Sequence, residues 1–325
     1  MHSGLKIWDI HSHALLNMHY LKKDLGKRQK PPLFWNPLRN HIDLVRAKEG
    51  GVDCLTFNVY VPFRTFQKGY FHIALEMIEL LEDFTEKERS RVELAKTTEE
   101  VDHIISRGKI AATVAVEGGH ILEGKLENLE VLKKKGVIYI TLTHFHSNDI
   151  AEASFLKLWR RSGLTDFGKE VIKEMERLGI LVDVTHTSER AFREVLQIVN
   201  APVIYSHGGV REYCKRERNL SDDMIKAIAE KSGVIGVTFS PWSLKRWSVF
   251  GGISLFVRTA AHIAEVAGVD TVALGSDFDG WIWTLRDVRD ISYMRRLVDR
   301  LLLAFNCEEV SKILYGNIRR VLKSV

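Results

Sequence analysis

The sequence lacks most of the features that mark secreted or membrane-spanning proteins. Its 325 residues contain three cysteines, Cys54, Cys214 and Cys307, so far apart that neither a disulfide framework nor a cysteine zinc motif is indicated. No apolar run reaches the roughly 18–20 residues that cross a bilayer. Residues 1–6 lead at once into a strand-like segment, which is not typical of a signal peptide. We therefore expect a cytoplasmic protein that is not embedded in a membrane.

A strong charge of either sign is also lacking. Lysine and arginine number 47 against 42 acidic residues, which gives a formal net charge of +5. Basic clusters at residues 22–28 and 133–135 are typical of solvated helix faces and loops, and no basic stripe is interleaved with aromatic residues. We expect no nucleic-acid partner. The mild positive balance would instead help to attract an anionic small molecule.

Apolar runs rich in Val, Ile and Thr alternate with helical patterns along the chain, and each run is typical of a strand buried on both faces. The runs are residues 6–10, 54–61, 110–116, 137–143, 181–185, 203–205, 234–239 and 271–274. The alternation predicts parallel βαβ units. An open doubly wound sheet normally has a glycine-rich phosphate turn after its first strand, and that turn is missing. We therefore predict an α/β fold, a (β/α)₈ TIM barrel, as a single domain over residues 1–325.

Helical periodicity appears between these runs. It predicts helices over residues 73–84, 167–178, 189–199, 222–231, 254–267 and 291–305. Ser188, after Thr187, and Ser221 are expected to cap the N-termini of two of these helices. Gly179 is expected to end a third.

Two long connections, residues 14–40 and 241–252, follow the first and seventh predicted strands. Both should overhang the catalytic face of a barrel, where loops can gate a pocket. Their aromatic residues either pack on the barrel or contact substrate, and the two alternatives carry equal weight. The aromatic residues open to both interpretations here and in the last loop include Trp242, Trp247, Phe250, Trp281 and Trp283.

Acidic or histidine-bearing motifs stand where six of the apolar runs end. They are Asp9-Ile10-His11-Ser12-His13, Val116-Glu117-Gly118-Gly119-His120, Leu142-Thr143-His144, Val184-Thr185-His186, Tyr205-Ser206-His207 and Gly275-Ser276-Asp277-Phe278-Asp279-Gly280. A (β/α)₈ barrel builds its active site at the carboxyl ends of its strands. The pattern therefore predicts one site that gathers these motifs.

Four histidines and one glutamate among these motifs predict a metal site. His11 and His13 are two apart on a strand and point the same way, which suits two ligands of one ion, although a structural pair is an equal alternative. A buried carboxylate such as Glu117 is costly unless cations accompany it, and it can bridge two of them. His186 and His207 would hold a second metal, although either histidine alone would be interpreted as a core residue.

Other residues of the motifs, and one outside them, have chemistry that suits a hydrolase. Asp277 is placed to orient a nucleophilic water and to pass its proton to a leaving amine. His144 or His146 would donate to a developing oxyanion. Asp279 is interpreted as a turn residue. Arg218 is a candidate clamp for a substrate carboxylate, although its chemistry alone favours an exposed surface arginine.

In their order, these motifs resemble those of the membrane (renal-type) dipeptidase family, peptidase family M19, whose members are metallopeptidases with a distorted (β/α)₈ barrel and a binuclear zinc site. The resemblance extends from about residue 6 to residue 321. Further matching segments are Gly50-Gly51-Val52, Gly163-Leu164-Thr165-Asp166-Phe167-Gly168, Leu181-Val182-Asp183, Arg218-Asn219-Leu220-Ser221-Asp222-Asp223 and Gly316-Asn317-Ile318-Arg319-Arg320-Val321. So many ordered matches are highly specific.

The resemblance implies two divalent metal ions, zinc first with Mn²⁺ or Fe²⁺ as alternatives, bridged by Glu117. His11 would bind the first ion, and His186 and His207 the second. The family usually has an aspartate where this chain has His13, so the site is one negative charge poorer and should hold its first metal differently. A histidine pair is also common in the wider amidohydrolase superfamily, often with a carboxylated lysine as the bridge. No lysine ends the fourth strand, and Glu117 is available instead.

The resemblance also implies that His144 contacts the reacting carbonyl, Arg218 binds the substrate's terminal carboxylate and Asp277 is the acid/base. The leading hypothesis is a zinc-dependent dipeptidase in which a hydroxide bridging two metals attacks the amide bond of a dipeptide with a free C-terminal carboxylate. Hydrolysis of N-acyl amino acids, lactones or cyclic amides is the alternative, and a non-catalytic metal-binding barrel is a third hypothesis. Because family members are often dimers, a homodimer is also expected.

Overall fold

One parallel sheet of nine strands organises the protein. The computed structural model describes residues 4–33, 38–62, 69–155, 163–246 and 249–325. The strands are β1 (Trp8–Ser12), β2 (Cys54–Tyr60), β3 (Val92–Leu94), β4 (Ile110–Glu117), β5 (Val137–Thr141), β6 (Leu181–Asp183), β7 (Val203–Gly208), β8 (Val234–Val237) and β9 (Val272–Leu274). Each predicted apolar run overlaps one strand. β3 was not predicted; it pairs with β4 outside the main strand order.

The other strands follow the order β1-β2-β4-β5-β6-β7-β8-β9 and form a nearly closed barrel. Its last gap is bridged by the segments at the carboxyl ends of β1 and β9. The amide of His13 donates to the carbonyl of Phe278 at 2.7 Å, and the amide of Asp277 donates to the carbonyl of His11 at 3.0 Å. The prediction of a (β/α)₈ barrel, distorted as the family resemblance implies, is confirmed.

Helices connect the strands. They are α1 (Ala14–Leu21), α2 (Leu44–Gly50), α3 (Tyr70–Lys87), α4 (Thr98–Ser106), α5 (Glu127–Lys134), α6 (Asp166–Leu178), α7 (Glu189–Ile198), α8 (Asp222–Glu230), α9 (Pro241–Leu244), α10 (Ser254–Ala267), α11 (Met294–Leu301), α12 (Cys307–Ser311) and α13 (Asn317–Lys323). Short 3₁₀ segments lie at Gly119–Leu122, Val269–Thr271 and Ile291–Tyr293, and a π-helical turn at Lys312–Gly316. All six predicted helices are present, the last as a 3₁₀ segment followed by α11.

The predicted helix ends are confirmed by their hydrogen bonds. The side chain of Ser188 accepts the amide of Ala191 at the start of α7, and that of Ser221 accepts the amide of Met224 at the start of α8. Gly179 follows α6 in the left-handed conformation, with φ of 65°. Only glycine adopts this conformation without a steric cost, so α6 ends here and β6 can begin.

Some strands differ from the prediction at their carboxyl ends, and side-chain hydrogen bonds give the reason. β6 ends at Asp183 because the carboxylate of that residue accepts the amide of Thr185 at 3.0 Å, which turns the chain out of the ladder. In β1 the carboxylate of Asp9 accepts the amide of His11 at 3.3 Å, and the register with β2 shifts at that point. Turns, rather than the strand ladder, therefore set the direction of the side chains that follow Asp183 and Asp9.

The two long connections carry helices rather than loop alone. Residues 14–40 begin with α1, and residues 241–252 begin with α9. Residues 34–37 and Trp247 lie outside the described residues. Cys54 and Cys214 are buried thiols, and Cys307 is exposed. No helix in the described ranges combines the length and the apolar character that crossing a membrane requires.

Candidate metal centre and active-site cavity

The predicted metal ligands converge on the carboxylate of Glu117 at the end of β4. The Nε2 atom of His13 lies 3.2 Å from its Oε2 atom. The Nε2 atoms of His186, His207 and His11 lie 3.1, 3.6 and 3.7 Å from its Oε1 atom. All five side chains are buried. Residues from four strand ends, far apart in sequence, therefore meet at one point.

Three overlapping groups of side chains among the described residues could hold a metal ion, with donor atoms within 4.8 Å of one another. The groups are His11–His13–Glu117, Glu117–His186–His207 and His11–His207–Asp277. Glu117 belongs to the first two groups, so the two groups share its carboxylate. This arrangement suits a carboxylate placed between two cations.

The distances between the histidines also fit a divalent cation. The Nε2 atoms of His11 and His13 lie 3.2 Å apart, and those of His186 and His207 lie 3.1 Å apart. A tetrahedral zinc ion, with zinc–nitrogen distances of about 2.0–2.1 Å, places two nitrogen ligands roughly 3.3 Å apart. Neither carboxylate oxygen of Glu117 has a hydrogen-bond partner within the described ranges, although the side chain is fully buried. A cation would satisfy these atoms.

The electrostatics keep most of these imidazoles in the form that binds metals. Burial lowers the pKa of His11 and of His207 well below the usual range, and it lowers the pKa of His186 to about 4. Neutral imidazole is the ligating form of histidine. His13 differs: burial would lower its pKa, but the adjacent Glu117 carboxylate outweighs burial and raises it.

Hydrogen bonds on the far side of two rings fix their tautomers. The hydroxyl of Ser206 donates to Asp183 at 2.6 Å and lies 3.0 Å from Nδ1 of His207. The hydroxyl of Tyr139 lies 3.0 Å from Nδ1 of His11 and has oxygen acceptors of its own at 2.9 Å. Each hydroxyl proton is used elsewhere, so each Nδ1 carries the ring proton and each Nε2 keeps its lone pair. The motifs did not predict these supporting residues; a carboxylate in the apolar run of β6 is the signal that points to Asp183.

A cavity of about 530 Å³ opens onto this centre. His144 lines it, with Nε2 at 3.8 Å from Oε2 of Glu117, whereas the alternative His146 is outside the lining in the part of the chain described. Asp277 also lines it, with Oδ1 at 3.4 Å from Nε2 of His13. Burial raises the pKa of Asp277 to about 7.

Arg218 lines the same cavity and is half-buried rather than an exposed surface residue. Its Nη1 atom donates to the hydroxyl of Ser243 at 3.0 Å, and its Nη2 atom lies 3.4 Å from Nε2 of His186. The hydroxyl of Tyr205 donates to its backbone carbonyl at 2.6 Å. The guanidinium is thus held beside the histidine cluster from a loop that contributes no other predicted site residue.

Backbone in the left-handed region positions part of the site. His186, Asp277 and Asp279 have φ values of 67°, 62° and 64°. Such residues cost of order 1–3 kcal/mol each and persist where the surroundings hold them. Asp279 is a turn residue, as interpreted, but its buried carboxylate also accepts the amide of His41 at 2.8 Å and lies 3.0 Å from its Nδ1. No motif predicted His41, which ties the Asp277 turn to the chain before α2.

The aromatic residues of the upper loops divide between the two interpretations. Trp242 and Trp281 line the cavity. Phe250 and Trp283 instead contact each other, with ring centroids 6.3 Å apart, and do not belong to its described lining. Of these four residues, Trp242 and Trp281 are therefore the ones placed to contact a substrate.

Comparisons with known proteins give the family. The model of the membrane dipeptidase family (peptidase family M19) matches residues 2–325. Dipeptidase 3 of Mus musculus is 31% identical over 296 residues, which cover 89% of this chain and 59% of the mouse protein. Dipeptidase tcpJ of Claviceps purpurea is 29% identical over 297 residues, which cover 89% of this chain and 70% of that protein. This chain thus spans little more than half the length of the mouse relative.

Solved structures have the same fold. One described as a dipeptidase and metallopeptidase of family M19 has a TM-score of 0.88 at 23% identity and covers 98% of both chains. A metallopeptidase from Rhodobacter sphaeroides, liganded with a phosphinate mimic of the dipeptide L-Ala-D-Ala, has a TM-score of 0.87 at 22% identity and covers 98% of this chain and 99% of that one. The metallodipeptidase class expected from the sequence is the class of this family. By its match over residues 2–325, the chain belongs to the membrane dipeptidase family, peptidase family M19.

Proposed function

We propose that the protein is a metal-dependent dipeptidase that hydrolyses the amide bond of dipeptides with a free C-terminal carboxylate. The position of Arg218 is the observation that carries this proposal. Its guanidinium lies 3.4 Å from His186, one of the histidines around Glu117, and lines the same cavity. A carboxylate bound by Arg218 would place the adjacent amide at the metal centre. The family match and the dipeptide mimic bound by the Rhodobacter sphaeroides relative support this substrate class.

We propose two divalent ions, with zinc as the first choice and Mn²⁺ or Fe²⁺ as alternatives. His11, His13 and Glu117 would hold one ion, and Glu117, His186 and His207 the other. Imidazole and carboxylate donors suit zinc, while a carboxylate-poor first site is less suited to harder ions. When bound, the ions supply Lewis acidity toward the reacting carbonyl and lower the pKa of water.

Three side chains around the centre would carry the remaining steps. His144, whose pKa is kept low by burial, is neutral and donates its ring proton toward the carbonyl oxygen as negative charge develops there. Asp277 takes a proton from the attacking water and passes it to the leaving amine; its carboxylate lies at the centre, with Oδ1 at 3.4 Å from Nε2 of His13. Arg218 holds the terminal carboxylate through paired N–H donors, which fixes the amide in place.

Metal quantification joined to a substrate screen tests this function. Protein reconstituted with zinc, manganese or iron is assayed against dipeptides, N-acyl amino acids and lactones. Bound metal with dipeptide turnover supports the proposal and excludes a non-catalytic barrel. Metal-loaded protein that turns over only lactones or N-acyl amino acids, or nothing, would overturn it.

The carboxylate clamp has a test of its own, with a control on the substrate. Arg218→Ala is expected to lower kcat/KM for Ala-Ala by about 10- to 100-fold, the range for loss of a hydrogen bond to a charged group. Ala-Ala amide, which has no carboxylate to lose, should be a poor substrate of both proteins and should differ little between them. If KM and kcat for Ala-Ala are unchanged, Arg218 is not the clamp.

A further inference from the structure

Exposed aromatic side chains gather at the mouth of the active-site cavity. Phe145, Phe155, Trp242 and Trp281 line it with 43%, 62%, 44% and 46% of their surfaces exposed. They are four of the nine large hydrophobic residues that are exposed in the described ranges. Exposed apolar surface concentrated at one cavity marks a place where an apolar ligand group is covered.

Two of these rings lie on the side of the cavity where His186 lies. The ring of Phe145 is 5.7 Å from the ring of His186, whose Nε2 is 3.4 Å from Arg218. The ring of Phe155 is 5.3 Å from that of Phe145. Phe145 also packs on His144 with ring centroids 4.1 Å apart, so the pair forms an apolar wall beside His144 and His186, and Arg218 contacts the second of these histidines.

Trp242 belongs to the same side. It precedes Ser243, whose hydroxyl accepts a hydrogen bond from Arg218. The guanidinium of Arg216 stacks on the indole of Trp242 at 3.6 Å and donates through Nε to its carbonyl at 3.1 Å. A ring that is already fixed loses little entropy when a ligand packs on it.

Trp281 lies on the opposite side. It follows Gly280, where an added Cβ atom would lie 2.2 Å from Oδ1 of Asp277 and 2.8 Å from the ring of His13. The backbone before Trp281 is thus packed against the residues proposed to carry the proton and the first metal. The aromatic mouth has two walls, one beside Arg218 and one beside Asp277.

We propose that Phe145, Phe155 and Trp242 form a subsite for the side chain of the substrate's C-terminal residue and select dipeptides in which that residue is aromatic or bulky aliphatic. The inference rests on the proposed function, because a carboxylate held by Arg218 places the side chain of the same residue beside these rings. A cavity of about 530 Å³ has room for a group much larger than a methyl. Arg216 lies on the same wall, with its guanidinium face on the indole of Trp242 and its Nε donating to the carbonyl of that residue, so a substrate with an acidic side chain is the competing fit.

The experiment measures kcat/KM of the metal-loaded protein for a series Ala-Xaa, with both enantiomers of Xaa. Xaa is alanine, leucine, phenylalanine, glutamine or aspartate. The leucine and phenylalanine substrates are expected to exceed the alanine and glutamine ones by about tenfold or more, the scale on which apolar pockets discriminate. Phe155→Ala should reduce the ratio of Ala-Phe to Ala-Ala by about fivefold or more, and Phe155→Leu should restore part of it.

Phe250→Ala is the matched control. Phe250 is 66% exposed, comparable to Phe155, but does not belong to the cavity lining in the described residues. Its loss should leave the ratio unchanged. Dipeptide hydrolysis without an apolar preference, or with aspartate preferred, would overturn the subsite and leave the proposed function standing. A preference that survives in Phe155→Ala and in Phe145→Ala would also overturn it. Failure to hydrolyse any dipeptide would refute the proposed function itself, and the subsite with it.

Discussion

The hydroxyl of Ser206 lies 3.0 Å from Nδ1 of His207 while it donates its own proton to Asp183. Nδ1 must therefore donate to Ser206, which leaves the lone pair of Nε2 facing Glu117. Removing the hydroxyl frees the ring to rotate and to change tautomer. Ser206→Ala is expected to lower the affinity for the metal beside His207 by about 10- to 100-fold, as measured by competition with a chelator.

Ser188→Ala is the control for a general loss of stability. It also removes a buried hydroxyl, the cap of α7, and should cost about 1 kcal/mol of unfolding free energy without touching the histidines. Metal affinity should stay at the wild-type value in this variant. If Ser206→Ala binds metal as tightly as Ser188→Ala does, the hydroxyl has no orienting role.

His13 sets the charge of the first metal position. His13→Asp adds a carboxylate beside Glu117 and is expected to tighten binding there and to raise the ratio of Mn²⁺ to Zn²⁺ taken up from an equimolar mixture, because harder oxygen donors favour manganese. Elemental analysis of the dialysed proteins measures both quantities. His13→Asn offers an oxygen donor without the charge and separates the two effects. An unchanged metal ratio in His13→Asp would contradict the expectation.

Substitution of Asp277 is expected to lower the turnover number rather than the stability of the fold. Asp277→Asn keeps the shape of the side chain but removes the proton acceptor, so kcat is expected to fall by about 10²- to 10⁴-fold with little change in KM. Metal content must be measured alongside, because Asp277 also lies within reach of His11 and His207. Asp287→Asn, an exposed carboxylate outside the described cavity lining, should have wild-type rates. A small effect on kcat in the metal-loaded variant would exclude Asp277 as the proton carrier.

An ion pair outside the described cavity lining, between Arg319 and Asp102, makes stability depend on pH. The Nε atom of Arg319 in α13 donates to the carboxylate of Asp102 in α4 at 2.8 Å, and the hydroxyl of Tyr315 donates to the same carboxylate at 2.6 Å. The first of these bonds connects α13 to α4. The hydrogen bond from Arg319 lowers the pKa of Asp102 below its ordinary value. A carboxyl with a depressed folded-state pKa contributes stability that is present above about pH 4 and is lost as the pH falls through the folded-state pKa.

Asp102→Asn is therefore expected to lower the unfolding free energy by about 0.5–1 kcal/mol at pH 7, a modest amount because the group is one-third exposed. The difference from wild type should shrink as the pH is lowered from 4 toward 2. Urea denaturation at each pH measures it. Asp166→Asn, which removes a carboxylate that is 95% exposed, should change little at any pH. A difference for Asp102→Asn that stays constant with pH would show that the pair's charge is irrelevant.

The barrel could be predicted because its strands are buried on both faces and therefore form continuous apolar runs. β3 has no such run: Val92 is its one buried residue, so its three positions carry no strand signal. The end of β6 also differs from the prediction, at Asp183 instead of residue 185, whereas β9 ends at Leu274 as predicted. His186 and Asp277 lie three residues beyond these strands, because bonds such as that from the Thr185 amide to Asp183 end the ladder early.

The side chains that gather around Glu117 could be named from the sequence because imidazole and carboxylate groups at strand ends have few structural roles. The residues that hold these side chains in place by hydrogen bonds could not be named. Ser206 and Tyr139 resemble ordinary core residues until the ring nitrogen that each one contacts is known. His41 and Asp279 are distant in the chain, so only the folded backbone brings them into contact.

The barrel's last gap lies between the ends of β1 and β9, where His13 bonds to Phe278 and Asp277 bonds to His11. His11 and His13 also face Glu117, and Asp277 faces them across the seam. A cation bound here would connect the carboxyl ends of β1 and β9, the first and last strands of the barrel. Binding of this cation and closure of the barrel would then be thermodynamically linked. A bound cation would raise the free energy of unfolding, and a variant that weakens the contact between β1 and β9 would bind the cation less tightly.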